Sequence, residues 1–143
     1  MKKMYQNFVK RVSLLNDIPL LFFRLILAYG FFEPAMMKLK GLQGTADWFG
    51  SMDYPLPFIS ALLATLTEAL GVVLLILGLG TRIIVLPMMF VMLIAIFTVH
   101  IGNGFPAGDN GFEIPLYYLL MLFALLVFGS GKVSVDYFLS GRK

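Results

Sequence analysis

The chain has 143 residues, of which 59% are hydrophobic and only 13% are charged. A soluble domain is roughly 45–50% apolar, and one of this size has no interior large enough to bury so much apolar surface. The lack of cysteine excludes disulfides, thiolate metal sites and thiol redox chemistry within the chain. The net charge of +3 comes from basic residues scattered between apolar segments, which does not indicate nucleic-acid binding. Composition therefore predicts a membrane protein.

The first segment of the chain has the pattern of an amphipathic helix. Apolar side chains fall on one helical face over residues 4–15, and Lys3, Lys10 and Arg11 lie mainly elsewhere. A helix of this kind lies in the plane of the membrane interface. We expect it to anchor the first membrane span to the cytoplasmic leaflet.

Four apolar segments follow, and we predict transmembrane helices at residues 18–37, 58–79, 83–101 and 112–129. With a rise of about 1.5 Å per residue and a hydrocarbon core of about 30 Å, the second and third are long enough to span alone. The first and fourth are short unless they extend into flanking residues or thin the bilayer. The predicted fold is all-α: one polytopic membrane domain over residues 1–143, built as a four-transmembrane-helix bundle.

The distribution of Lys and Arg predicts the orientation of this bundle. Basic residues are concentrated in the two terminal segments and in the connection between the second and third spans, whereas the other two connections carry more acidic than basic residues. Positive charge favours the cytoplasmic side. Both termini are therefore predicted to be cytoplasmic, which agrees with an even number of spans.

Glu68 is the only ionisable side chain between residues 58 and 79. A charge at the bilayer centre costs roughly 2.5 kcal/mol or more, so the carboxylate should face other helices. Arg24 is the nearest plausible counter-charge when depth is counted along the spans. The pair would be either an interhelical clamp or part of a polar pocket that positions a small molecule or relays a proton, and the sequence leaves both open.

Three further polar pairs are candidates for contacts near the membrane surfaces. Glu33 and Lys38 are expected at the outer end of the first span, either on the rim of a cavity or solvated. We expect His100 to hydrogen-bond Glu113 across the glycine-rich segment that joins the last two spans. On the cytoplasmic side we predict that Arg82 pairs with Asp136, and that Ser134 caps a short C-terminal helix.

The sequence predicts no metal site and assigns no catalytic residue. His100, Asp109 and Glu113 could ligate a divalent cation, but they lack a helical His spacing or a cysteine partner. The nine methionines are typical packing residues, and no haem-type histidine accompanies them. No nucleophile with its base, phosphate loop or cofactor fingerprint is present, so independent catalysis is not expected.

The order of the polar residues resembles the DoxX family over residues 19–139. The resemblance lies in Arg24 and Lys38, in Glu68-Ala-Leu-Gly71, and in Leu77-Gly-Leu-Gly-Thr-Arg82. It continues in His100 with Gly104-Phe105, Gly111 and Glu113, and in the closing Gly129-Ser-Gly131-Lys-Val-Ser134-Val-Asp136. The chain departs from many relatives at Glu33-Pro34, where they have a glycine-containing motif before the lysine.

The resemblance implies a four-helix protein of the bacterial inner membrane. Two classes of function are then compatible with the sequence. One, favoured chiefly by the resemblance, is a membrane subunit of a quinone-linked redox system related to sulfur or oxidative-stress metabolism. A quinone would lie between the helices with Arg24 and Glu68 near its polar head, and the electrons would come from a partner protein or a soluble substrate. The other is a non-enzymatic scaffold, or a module that binds or transports a small solute. Quinone, a redox partner and a second copy of the chain are thus the partners to test besides the bilayer.

Overall fold

The computed structural model describes residues 2–141, and every regular element within that range is helical. The α-helices are α1 (Lys2–Ser13), α2 (Asp17–Lys40), α3 (Leu42–Ser51), α4 (Pro57–Leu77), α5 (Thr81–Ala95), α6 (Glu113–Phe128) and α7 (Val135–Leu139). The all-α prediction is therefore confirmed for the part of the chain that the structure describes.

Helices α2, α4, α5 and α6 pack against one another in a ring, in the order α2, α4, α5, α6 and back to α2. We call this set the helical ring. Its interior is filled by buried apolar side chains from all four helices, including Leu27, Leu75, Met88 and Leu122. The outward apolar side chains are exposed in the isolated chain, as expected for a surface covered by lipid.

The two ends of the helical ring differ. One end, which we call the terminal end, carries α1, the α4–α5 turn and α7; the opposite end, the loop end, carries α3 and the segment between α5 and α6. At the terminal end, Gly78 and Gly80 both adopt left-handed backbone angles, with φ of 64° and 58°. Glycine takes this conformation without a Cβ clash, so the chain can make a tight turn between the antiparallel helices α4 and α5.

Two details of the helices are not apparent from the sequence pattern. Pro34 neither ends nor interrupts α2, which continues to Lys40. The third predicted helix is not uniform: α5 is α-helical to Ala95, π-helical over Ile96–His100, and 3₁₀-helical over Ile101–Asn103. A π-helical turn shifts the register of the side chains that follow it.

Helix α3 forms a cap on the loop end. Its Ala46 and Phe49 are buried against Ala61 of α4, and the ring of Phe49 stacks on Tyr54 with centroids 4.6 Å apart. The neighbouring Trp48 is exposed. Small side chains on α4 therefore allow α3 to pack closely against it at the loop end, in addition to the neighbours of α4 in the helical ring.

Three segments are long and apolar enough to cross a membrane: Lys2–Lys40, which includes α2, together with Pro57–Leu77 and Thr81–Asn103. Helix α6 is apolar but has only 16 residues. At about 1.5 Å per residue it is shorter than a typical hydrocarbon core of about 30 Å.

Candidate functional site

Glu68 forms a buried ion pair with Lys38, which joins α4 to α2. The Lys38 Nζ atom lies 2.6 Å from both carboxylate oxygens of Glu68. The side chain of Glu68 is 3% exposed and that of Lys38 is 20% exposed. Because one ammonium group contacts both oxygens, the carboxylate is neutralised inside the helical ring, while the lysine keeps partial access to the loop end.

The predicted pairing of Glu68 with Arg24 is wrong. In an α-helix the Cα–Cβ bonds tilt toward the helix N-terminus. The side chain of Arg24 is therefore directed toward the terminal end, whereas Glu68, on the antiparallel α4, is directed toward the loop end. Lys38 reaches inward from the last turns of α2 and meets it. The prediction considered only the depth of each residue along its helix axis, and not the direction in which its side chain extends.

Arg24 instead joins α2 to the C-terminal end of α4. Its side chain is almost fully buried, with 1% exposed. Nη1 donates to the Leu75 carbonyl at 3.2 Å, and Nη2 donates to the Val133 carbonyl. The last carbonyls of a helix lack intrahelical partners and carry partial negative charge, so a guanidinium stabilises them. A side chain at Gly78 would occupy the space of this guanidinium and of Ser134.

Asp136 does not pair with Arg82, contrary to the prediction. Its carboxylate accepts hydrogen bonds from the backbone N–H groups of Gly80 at 2.7 Å and Thr81 at 3.0 Å. These are unsatisfied donors at the start of α5, where a negative charge is favourable. Arg82 is exposed and donates to the Val127 carbonyl at 3.0 Å. The Asp136 carboxylate thus binds the backbone donors at the start of α5 rather than the Arg82 guanidinium.

The predicted cap of α7 is confirmed. The hydroxyl oxygen of Ser134 accepts a hydrogen bond from the backbone N–H of Tyr137 at 3.2 Å. The α7 segment thereby positions Asp136, whose N–H also donates to the Gly78 carbonyl at 3.0 Å. Much of the closing motif serves to hold the α4–α5 turn.

His100 and Glu113 do not hydrogen-bond to each other, so that prediction is also wrong. The Nδ1 atom of His100 lies 2.8 Å from the Asn110 carbonyl. The carboxylate of Glu113 accepts from the Ala107 N–H at 2.9 Å and from the Tyr117 hydroxyl at 3.2 Å. Each side chain satisfies a nearby group of the connecting segment, so both stabilise its conformation. Within residues 2–141 no cluster of three or more His, Asp or Glu side chains is arranged to hold a metal ion.

Glu33 lies in an open groove along the outer flank of α2, apart from Lys38. The groove has a volume of about 660 Å³. It is lined by seven α2 residues and one α6 residue: Tyr29, Gly30, Phe32, Glu33, Met36, Met37, Lys40 and Tyr118. Apolar and aromatic walls with a few polar groups are typical of small-molecule sites. Glu33 therefore shares the groove with Lys40 and not, as was predicted, with Lys38, because Lys38 faces α4.

Sequence reasoning missed Tyr118 and Gly30. A Cβ at Gly30 would overlap the Tyr118 hydroxyl group, so the two helices approach closely only because this residue is glycine. Tyr118 also packs on Phe31, with ring centroids 5.6 Å apart. A glycine in the middle of an apolar span, facing a helix with a polar aromatic residue, was the available signal.

These features define an α-helical membrane protein with a partly buried Lys–Glu pair, whose α4–α5 turn is held by the charged side chains of Arg24 and Asp136. The DoxX family profile matches residues 19–101, and the chain belongs to the DoxX family. It is 32% identical over 129 residues to an "Uncharacterized protein" of Haemophilus influenzae, covering 85% of this chain and 83% of that protein. It is 33% identical over 130 residues to "Putative oxidoreductase CatD" of Bacillus subtilis, covering 89% and 92%. No solved structure matches the chain.

Proposed function

We propose that the protein is the membrane-embedded, quinone-binding subunit of a redox system, and that its quinone site is the groove along α2. The groove is the observation that carries the proposal. It combines aromatic and methionine walls, which suit a quinone ring and its apolar tail, with the polar side chains of Glu33, Lys40 and Tyr118. Its volume of about 660 Å³ lies within the range of roughly 300–1,000 Å³ that is usual for small-molecule sites.

Tyr118 is the side chain best suited to recognise a quinone carbonyl. A phenolic hydroxyl donates one hydrogen bond, and that of Tyr118 makes none with another described residue, in contrast to Tyr54 and Tyr117. It lies against Gly30 at the wall of the groove. A ligand carbonyl beside Gly30 would accept this hydrogen bond.

Reduction of a quinone to a quinol takes up two electrons and two protons. The chain has no cysteine to supply electrons from a thiol, so we assign the electrons to a partner redox protein. Glu33 and Lys40 at the groove are the candidates to exchange protons with water. The oxidoreductase name of the Bacillus subtilis relative supports a redox role, and the chain's own part would be binding and proton handling.

We also propose that four helices cross the bacterial inner membrane, with both termini in the cytoplasm. Helix α6 would be the fourth span, and its 16 residues would require local thinning of the bilayer. The basic residues support this orientation: α1 and the α4–α5 turn belong to the terminal end. The loop end would then face outward, and the groove would open in the outer half of the membrane.

Quinone retention tests the proposal directly. The full-length protein, purified in lipid nanodiscs, should carry an isoprenoid quinone in a near-stoichiometric amount that extraction and mass spectrometry identify. Tyr118→Phe, which removes only the hydroxyl, and Gly30→Ala, which pushes into Tyr118, should each lower retention several-fold. Gly44→Ala is the matched control, because a Cβ at Gly44 meets nothing within 4 Å.

Two results would contradict the proposal. One is that the unsubstituted protein retains no more quinone than the surrounding lipid alone would carry. The other is equal retention by the Gly30→Ala, Tyr118→Phe and Gly44→Ala variants, since the quinone would then lie elsewhere.

The second candidate is a non-enzymatic scaffold or a module for a small solute. It is favoured by the way the buried charges are used: Arg24 binds backbone carbonyls, and Glu68 binds Lys38. These groups serve the fold, as they would in a scaffold. Copurification of a partner protein without quinone, unaffected by Tyr118→Phe, would support this alternative.

A further inference from the structure

Helix α1 is a basic amphipathic helix that the rest of the protein leaves uncovered. No residue of α1 is buried. Its apolar face is open to the surroundings, with Met4 74%, Phe8 64% and Val12 46% exposed. Leu15, on the same face just beyond the helix, is 53% exposed. A contiguous apolar face of this kind marks an interaction surface.

The basic side chains of α1 also lack a counter-charge among residues 2–141. Lys2, Lys3, Lys10 and Arg11 lie in a helix that contains no acidic residue, and no ion pair within residues 2–141 involves them. The acidic groups of the terminal end are already used. Asp17 accepts from the Lys132 N–H at 2.9 Å and lies 3.6 Å from its Nζ, and Asp136 binds the start of α5.

One external surface can satisfy both features. Helix α1 ends at Ser13, and α2, the apolar helix of the helical ring, begins at Asp17. The short connection keeps α1 close to the membrane surface. A bilayer with anionic headgroups there would cover the apolar side chains and supply the missing negative charge. A neutral bilayer would cover the apolar side chains but would supply no negative charge.

We propose that α1 is a binding site for anionic phospholipid headgroups, and that it inserts its apolar face into the leaflet only where such lipids are present. The position of the helix then depends on the lipid composition around the protein. This inference is independent of the quinone site, because α1 contributes no residue to the groove along α2.

The absence of native cysteine makes a site-specific test straightforward. Val12→Cys places a fluorescent thiol probe on the apolar face, and Gln6→Cys places the same probe on the polar face as a matched control. Each full-length variant is reconstituted in vesicles of phosphatidylcholine alone or of equal parts phosphatidylcholine and phosphatidylglycerol. Quenching by a nitroxide-labelled lipid and by aqueous iodide is then compared.

We expect lipid quenching of the Val12→Cys probe to be several-fold stronger in the anionic vesicles and to fall with added salt. Replacing Lys10 and Arg11 with Gln should weaken it, since each basic residue near an anionic surface changes partitioning roughly five-fold. The Gln6→Cys probe should stay accessible to iodide in both vesicles. Because no residue of α1 is buried, these substitutions leave the core unchanged.

Two outcomes would overturn the proposal. Equal lipid quenching of the Val12→Cys probe in both vesicles would mean that α1 does not recognise lipid charge. Protection of that probe from both quenchers, increasing with the protein-to-lipid ratio, would mean that a second copy of the chain covers α1.

Discussion

The Lys38–Glu68 pair makes a prediction about single residues. Replacing Lys38 with Met leaves a carboxylate buried without a partner, and breaking a buried pair in this way costs about 3–5 kcal/mol. We expect a loss toward the lower end, because Lys38 is 20% exposed. Glu68→Gln should cost less, since the freed ammonium can reach water. The thermal unfolding temperature in one detergent, at one scan rate, measures both effects.

The double variant provides the decisive comparison. Lys38→Met with Glu68→Gln removes both charges, so it should be more stable than Lys38→Met alone. Lys40→Met, an exposed lysine on the same helix, should change the unfolding temperature little. If the losses of the two single variants simply add in the double variant, the pair does not couple α2 to α4.

The sequence predicted that Glu68 is buried but not which residue it contacts. The burial of Glu68 was predictable because it is a single charge in an apolar segment, and this is a local property of the sequence. The partner depends on the direction of side chains on two antiparallel helices, and that direction favoured Lys38 over Arg24. Arg24 was likewise predicted to lie within the protein, but its acceptors, Leu75 and Val133, are backbone carbonyls. Every residue has a backbone carbonyl, so no sequence pattern indicates which carbonyls accept these hydrogen bonds.

At the scale of elements, the α4–α5 turn is held by charges from two other helices. Arg24 binds the end of α4, and Asp136 binds the start of α5. Asp136→Ala removes both acceptors at the start of α5, so we expect a loss of about 1–2 kcal/mol, as for other helix caps. Asp136→Asn retains one acceptor and should lose about half as much.

Stability in detergent and local hydrogen exchange test this role. Exchange at the N–H groups of Gly80 and Thr81 should accelerate in Asp136→Ala, while the core of α4 stays protected. Asp47→Ala is the control, because Asp47 is exposed and its carboxylate accepts a hydrogen bond from Gln43 of its own helix, away from the α4–α5 turn. Unchanged exchange at the turn would show that the carboxylate does not cap α5.

Element positions were the most predictable level of this structure. Apolar segments bounded by glycine and charge predicted all four helices of the helical ring, because hydropathy dominates the choice of helix in such a chain. The π-helical turn at Ile96–His100 was not predictable, because no residue type specifies it. The buried face of α3 was also missed, since burial of Phe49 depends on the small side chain of Ala61.

At the scale of the whole molecule, the number of spans depends on α6. Three segments are long enough to cross a membrane, and α6 has 16 residues. Yet α6 packs against both α5 and α2 and closes the helical ring. Its buried Leu122 and Leu125 belong to the same core as Leu27 and Leu75. A helix that completes the core beside helices long and apolar enough to cross a membrane should cross with them.

Single cysteines on either side of α6 decide this question. We expect Gly108→Cys to react with a membrane-impermeant maleimide in intact spheroplasts, and Ser140→Cys to react only after the membrane is opened. Both positions are exposed, so access to the reagent is limited by the membrane rather than by the fold. Lys40→Cys should behave like Gly108→Cys if α2 crosses outward. Equal labelling of Gly108→Cys and Ser140→Cys in intact spheroplasts would place both ends of α6 on one side and exclude the fourth span.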